Sequence, residues 1–212
     1  MDEKLIEKTI NFVKEQLKQV DGSHDWWHVY RVWKLTKHIA KSEKVNMEIV
    51  ELGALLHDVG DRKYHNGDET VGPKKAREFL KGKVKQETIE HVIKIIENIS
   101  FSSEQKFKSK ELDVVQDADR LDGIGAMGIA RCFIYTGHTN RVMYDPEIKP
   151  KLNMSKEEYK KNKGTAINHF YEKLLLLKDK MNTETGKKMA ERRHEFMELY
   201  LEEFYSEWEG KK

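Results

Sequence analysis

Apolar residues recur three and four positions apart along almost the whole chain, and sustained alternation of period two is absent, so the pattern predicts helices rather than a sheet. With only 3 prolines, little interrupts them. Leu5, Ile6, Thr9, Phe12, Val13 and Leu17 share one stripe, predicting a first helix over residues 2–19 that stops at Asp21-Gly22-Ser23. A second begins near His24 and sets His28, Val32, Leu35 and Ile39 along one face. A third, near 46–58, ends in 52-LGALLHDVGDRKYHNGDE-69, where an apolar run leads straight into a histidine and an aspartate. Residues 61–71 are polar and read as a loop, and Gly72-Pro73 starts a short helix that ends near Gly82.

The segment 86–100 is strongly amphipathic, and 109–136 reads as a helix, a glycine-rich break at 123–125, and another helix. Between Thr136 and Leu152 the periodicity dissolves, and the segment is long enough to act as a flap over a substrate. Order returns at Ser155-Lys156-Glu157-Glu158, a capping-box pattern. Two further stripes follow: Ile167, Phe170, Leu174, Leu177 and Met181 within 164–181, and Met189, Phe196, Met197, Tyr200, Phe204 and Trp208 within 187–208. Both are expected to be core. The expectation is an all-α chain of about eight or nine helices in one domain over 1–212, with a core at about 20–135 and C-terminal helices at about 155–209 packed on it.

Charge changes this picture little. Charged residues make up 36% of the chain but nearly cancel to +2, so a purely electrostatic nucleic-acid binder is disfavoured and no stable nucleic-acid complex is expected. The only cysteine, Cys132, has no partner for an internal disulfide, and MDEKLIEKTI lacks the apolar run of a signal peptide or membrane anchor. A cytoplasmic protein without membrane attachment is expected.

Chemistry concentrates in three places. Upstream of the His57-Asp58 doublet lies 24-HDWWHVYRV-32, and downstream lies 116-QDADRLDGIG-125. Each sits on a predicted helix with ligand-type residues beside apolar ones. His28, His57, Asp58 and Asp119 together would make a mixed nitrogen and oxygen site suited to Mn²⁺, Mg²⁺, Fe²⁺, Co²⁺, Ni²⁺ or Zn²⁺. Four protein ligands leave an octahedral ion two open positions, which is what a hydrolase needs.

The fragments HDWWHVYRV, LLHDVGDRK, DADRLDGIGAMGIAR and GTAINHFYEKLLLLKDKMNTETGKK run in this order from His24 to Lys188. Together they resemble the HD-domain metal-dependent phosphohydrolases, and among them the stand-alone bacterial HD hydrolases of the YedJ/YpgQ type. The resemblance implies an all-α, compact HD-domain helical bundle with additional C-terminal helices. It implies as metal ligands His28 in H-x-x-R-V, the doublet His57-Asp58, and Asp119 in A-D-R-L, flanked by Asp117 and Asp122. One divalent ion is expected, with Mn²⁺ favoured. The two-metal branch carries further histidines after the doublet, whereas here only His91 follows on the next predicted helices, with His65 in the loop.

Around this centre the expected catalytic residues are Asp61 and Glu69, which could orient water or take its proton, and Lys63. The expected substrate-binding residues are His24, Arg31, Lys63, Asp122, Arg131, Arg141 and Tyr144, with Arg62 and Arg120 as further cations. Trp26, Trp27 and Tyr64 could stack a base, though burial in the core is the commoner fate of such rings. The resemblance implies a small-molecule nucleotide substrate, a nucleoside or deoxynucleoside triphosphate cleaved to monophosphate and pyrophosphate. Alternatives are a nucleoside monophosphatase, a nucleotide phosphodiesterase, or a nucleotide-binding regulator without turnover. A homodimer is a possible assembly.

Overall fold

The computed structural model describes residues 2–18, 24–61, 65–100 and 107–212. The turn expected at Asp21-Gly22-Ser23 and the candidates Arg62, Lys63 and Tyr64 lie outside the described residues. Among the described residues there are ten α-helices, two short 3₁₀ stretches and no strand. The chain divides into two compact units, Met1–Asp119 and Arg120–Lys212, and the boundary falls inside one continuous helix.

The first unit holds α1 (Glu3–Gln16), α2 (Trp26–Ile39), α3 (Met47–Leu56), α4 (Val71–Leu80), α5 (Gln86–Asn98) and most of α6 (Lys110–Asp122). Its centre is α3, in which every residue from Ile49 to Leu56 is buried, so the helix is enclosed on all sides. Around it α1, α2 and α5 pack, and α4 lies on α5. Gly53 makes the fit possible: a Cβ there would meet Ile95 at 3.3 Å and Val115 of α6 at 3.6 Å. Gln116 of α6 adds a polar tie, donating through Nε2 to the carbonyl of Asn98 at 2.8 Å.

The second unit holds α7 (Gly125–His138), α8 (Lys156–Lys161), α9 (Ala166–Glu172) and α10 (Glu184–Trp208). The stripe expected over 164–181 is buried, but it is not one helix. α9 ends at Lys173, where φ −147° and ψ −56° leave the helical region, and a 3₁₀ helix runs over Leu174–Lys180. Three residues per turn align Leu174 with Leu177, so both stay buried while the backbone tightens.

The α10 stripe departs further from expectation. Met197 is fully buried, yet Phe196 is 48% and Trp208 47% exposed. The helix buries a narrower line through Gly186, Ala190, Met197 and Leu201.

The segment after α7 is held in place within this unit. Val142 and Met143 accept backbone hydrogen bonds from Ala166 and Ile167, Ile148 accepts from Asn168 Nδ2, and buried Glu172 accepts from the Lys151 amide at 3.0 Å and Asn162 Nδ2 at 2.7 Å.

Candidate metal centre

The first donor comes from α2. Asp25 adopts an extended conformation and caps the helix, accepting from the His28 amide at 3.0 Å, which fixes the backbone from which the His28 ring projects into a fully buried position. The helix therefore starts at Trp26, and His24, expected on it, sits in the bend before the cap. From there its Nδ1 still reaches Asp58 Oδ2 at 3.0 Å.

The second and third donors stand at the end of α3. His57 is its C-cap, and the ring nitrogen Nδ1 lies 2.8 Å from the Ala54 carbonyl. A carbonyl only accepts, so this nitrogen carries the proton and Nε2 presents its lone pair on the other side, as in histidines that bind metals. Asp58 opens a tight turn whose carbonyl accepts from Gly60 at 2.7 Å and Asp61 at 3.3 Å. That turn presses on the start of α4, since a Cβ at Gly60 would stand 2.7 Å from the Gly72 nitrogen.

The fourth donor is on α6. Ser109 Oγ accepts from the Leu112 amide at 3.1 Å and also lies 2.9 Å from His91 Nε2. Glu111 is 3.6 Å from the same nitrogen, so this histidine braces the start of α6. Ten residues beyond Ser109, Asp119 is partly exposed while its neighbour Asp117 is fully buried.

Four side chains from three elements thus converge. His28 Nε2 is 3.2 Å from His57 Nε2, 3.4 Å from Asp58 Oδ2 and 3.5 Å from Asp119 Oδ1. His57 Nε2 is 3.7 Å from Asp58 Oδ1 and 3.8 Å from Asp119 Oδ1. Ligands held about 2.1 Å from a common ion lie about 3.0 Å apart at right angles and about 3.4 Å apart at tetrahedral angles. The donor set therefore fits a divalent cation in spacing and in chemistry. Burial pushes the Asp58 carboxyl up, but the electrostatic influence of the neighbouring His57 ring and hydrogen bonds from His24 and His28 outweigh it and hold it well below the usual carboxylate range.

The other expected residues fall in several places. Asp122 is buried and accepts from Arg131 Nη1 at 3.0 Å, so each orients the other within the second unit. Arg193, which the sequence did not bring forward, donates to the Leu121 carbonyl beside them, and its Cβ would stand 3.0 Å from a Cβ at Gly125, where φ is +71°. Arg31 is half-buried one turn past His28, Asp61 closes the turn three residues after Asp58, and Glu69 is exposed in the turn before α4. Arg141 lies over the ring of Tyr135. Tyr144 packs edge-on against Phe204, Tyr205 and Trp208, so its ring is engaged within the second unit. Trp27, expected in a core, is 60% exposed beside His28. Among the described residues, the histidine and carboxylate clusters close enough to hold an ion are His24–His28–Asp58 and His28–His57–Asp119, and neither includes His65 or His91.

Asp25 and the Ala54 carbonyl, which aim the two imidazoles, also escaped the sequence reading. Asp25 had a signal, since an aspartate directly before an amphipathic run is a helix-cap pattern. The Ala54 carbonyl had none, because a backbone acceptor carries no residue identity.

Comparison with known proteins gives this geometry a family. The HD domain model matches residues 26–124, which contain all four donors. The uncharacterized protein YpgQ of Bacillus subtilis is 35% identical over 211 residues, covering 98% of this chain and 95% of YpgQ. A crystal structure of an HD-superfamily hydrolase from Bacillus thuringiensis aligns over 99% of both chains, with 43% identity and a TM-score of 0.76. The crystal structure of YpgQ in complex with ADP aligns over 96% of this chain and 95% of YpgQ, with 34% identity and a TM-score of 0.75. A buried pair of imidazoles and two carboxylates, on helices that align end to end with those of an HD-superfamily hydrolase, make this chain a member of the HD-domain family of hydrolases.

Proposed function

We propose that the chain is a divalent-metal phosphohydrolase acting on nucleotides, and that it cleaves nucleoside or deoxynucleoside triphosphates to the monophosphate and pyrophosphate. The observation that carries the reading is the convergence of Asp58 and Asp119 on the imidazoles of His28 and His57, which lie 3.2 Å from each other and 3.4–3.8 Å from the two carboxylates. A divalent ion bound by these four would supply Lewis acidity, acidifying water and drawing charge from a phosphoryl group. The ADP held by YpgQ favours a nucleotide as the ligand class.

The chain's own residues have distinct tasks. The Ala54 carbonyl and Asp25 keep the two imidazoles aimed inward, and His24 holds Asp58 by its Oδ2. Asp61 and Glu69 are the bases proposed to take the proton of the attacking water, and Lys63 and Arg31 the cations proposed for the phosphates. Arg131, oriented by Asp122, is a third such cation. The exposed Trp27 ring is suited to stack a base, a task for which Tyr144 is less free.

The test is a panel of ribo- and deoxyribonucleoside mono-, di- and triphosphates with Mn²⁺, assayed separately for phosphate and for pyrophosphate. Pyrophosphate release confined to triphosphates supports the reading. Phosphate release from monophosphates would instead identify a monophosphatase, and turnover of none of them would sink the enzymatic proposal.

A further inference from the structure

α3 is enclosed on all sides, yet one of its buried side chains is a carboxylate. From Ile49 to Leu56 the helix reads IVELGALL, and Glu51 is the one side chain in that run able to make a hydrogen bond. The bond it makes crosses to α2. Glu51 Oε2 accepts from Trp33 Nε1 at 2.7 Å, and Lys37 Nζ stands 4.0 Å from the same oxygen and 4.8 Å from the centre of the Trp33 ring. Thr36, fully buried near the next turn of α2, makes no hydrogen bond through Oγ1 among the described residues, so it does not share this task. Burying a carboxylate is costly, and replacing a buried polar pair by well-packed apolar groups is often neutral or stabilising. Stability alone therefore does not account for Glu51.

We propose that Glu51 is a positioning residue for the candidate metal centre: by holding the Trp33 indole it fixes the register of α2 on α3, and thereby the spacing of His28 and His57. The inference rests on the reading of those histidines as metal ligands. The two helices run antiparallel with two polar rungs between them, since His28 meets His57 at 3.2 Å and Trp33 meets Glu51 at 2.7 Å. Five residues forward along α2 match six residues back along α3, so the tie stands about 7.5 Å from His28 along one helix and about 9 Å from His57 along the other. Packed helices can slide past one another by about 1–2 Å, whereas a coordination distance tolerates about 0.2 Å. Apolar contact is non-directional and resists such a slide weakly, but a hydrogen bond weakens steeply as its angle departs from linear. One directional bond a turn and a half from the histidines therefore holds the register that the ion requires. Lys37 adds attraction to the carboxylate and to the ring face, keeping the two together.

Calorimetric titration of Mn²⁺ into the full chain, with denaturant unfolding of the metal-free chain measured alongside, provides the test. Glu51→Leu should leave the metal-free stability near that of the parent, because Trp33 is half-buried and its freed N–H can turn to water, and should weaken Mn²⁺ binding about tenfold or more. Glu51→Gln keeps an acceptor oxygen for the indole and should bind within about threefold of the parent, a rescue that a mere packing role would not require. Trp33→Phe removes the donor while keeping a ring, and should weaken binding as Glu51→Leu does. The double variant Trp33→Phe/Glu51→Leu leaves neither partner buried and unmatched, which keeps the comparison open where a single variant does not fold. It should bind no more weakly than either single variant, because both changes break the same tie. A parent that binds Mn²⁺ while Glu51→Leu or the double variant binds it equally well, or a Glu51→Gln chain as weak as Glu51→Leu, would overturn the positioning role alone. A parent that takes up no Mn²⁺ would overturn the metal reading and this role with it.

Discussion

At the scale of single residues, the meaning of the His57-Asp58 doublet lies in what surrounds it. The helix ends at Leu56, so His57 can turn its ring back to its own helix and Asp58 can leave the helical path. Asp58→Ala removes a donor and leaves His24, His28 and His57 without their shared carboxylate, and it should abolish stoichiometric Mn²⁺ binding and lower hydrolysis by at least about a hundredfold. Elemental analysis and turnover check this directly. Asp119 and Asp122 share a helix face, and only the second is tied to Arg131. Asp119→Asn should therefore lose the ion while Asp122→Asn keeps it and binds substrate more weakly. The reverse result would mean that the wrong aspartate has been assigned. Gly60 is a steric requirement: Gly60→Ala drives a methyl group onto the backbone at Gly72 and should cost about 1–3 kcal/mol in denaturant unfolding.

Among the elements, helices of the first unit were legible because their apolar spacing and caps agree: Asn46 caps α3, and α5 carries a continuous apolar face. The second unit was less so. The run Leu174–Leu177 continues a helical spacing, and nothing in it signals the break at Lys173, because eclipsed i,i+3 leucines satisfy a 3₁₀ turn as well as an α-helix. On α10, spacing alone could not tell a buried Met197 from an exposed Phe196, since Phe196 stands at the edge of the same apolar stripe, about 100° from Met197.

The segment after Thr136 reads in sequence as a loose flap, but the groups that anchor it, Glu172 and Asn168, lie on a later helix. Glu172→Ala should release it, and limited trypsin digestion should then cut faster at Lys149 or Lys151 than in the parent chain. Cys132 reports on the α7 interior, where burial pushes its thiol up to about 11 from 9.0. Its folded-state pKa is raised, so its contribution to stability is complete below about 9 and is lost as pH rises toward 11. In the folded chain it should resist alkylation at pH 8, and it should react once the chain is unfolded.

For the molecule as a whole, the four candidate ligands come from α2, the end of α3 and α6, all within the first unit, so an ion held there links three elements that are distant in sequence. Their order along the chain was readable, because ligand residue types beside apolar stripes stand out against a helical pattern. Their convergence was not, because it depends on how α2, α3 and α6 pack. No described helix is long and apolar enough to cross a membrane. An ion that binds only the folded state stabilises it by mass action, by about 2.7 kcal/mol at a hundredfold excess over its dissociation constant. Mn²⁺ should therefore raise the unfolding temperature, a chelator should reverse the rise, and Asp58→Ala should show neither effect. The most direct measurement of the central claim is anomalous diffraction at the manganese edge from crystals of the full chain grown with Mn²⁺. The account predicts one strong peak per chain, within coordination distance of His28 Nε2, His57 Nε2, Asp58 and Asp119. A peak at Asp122 instead, or none among the two histidines, would contradict it.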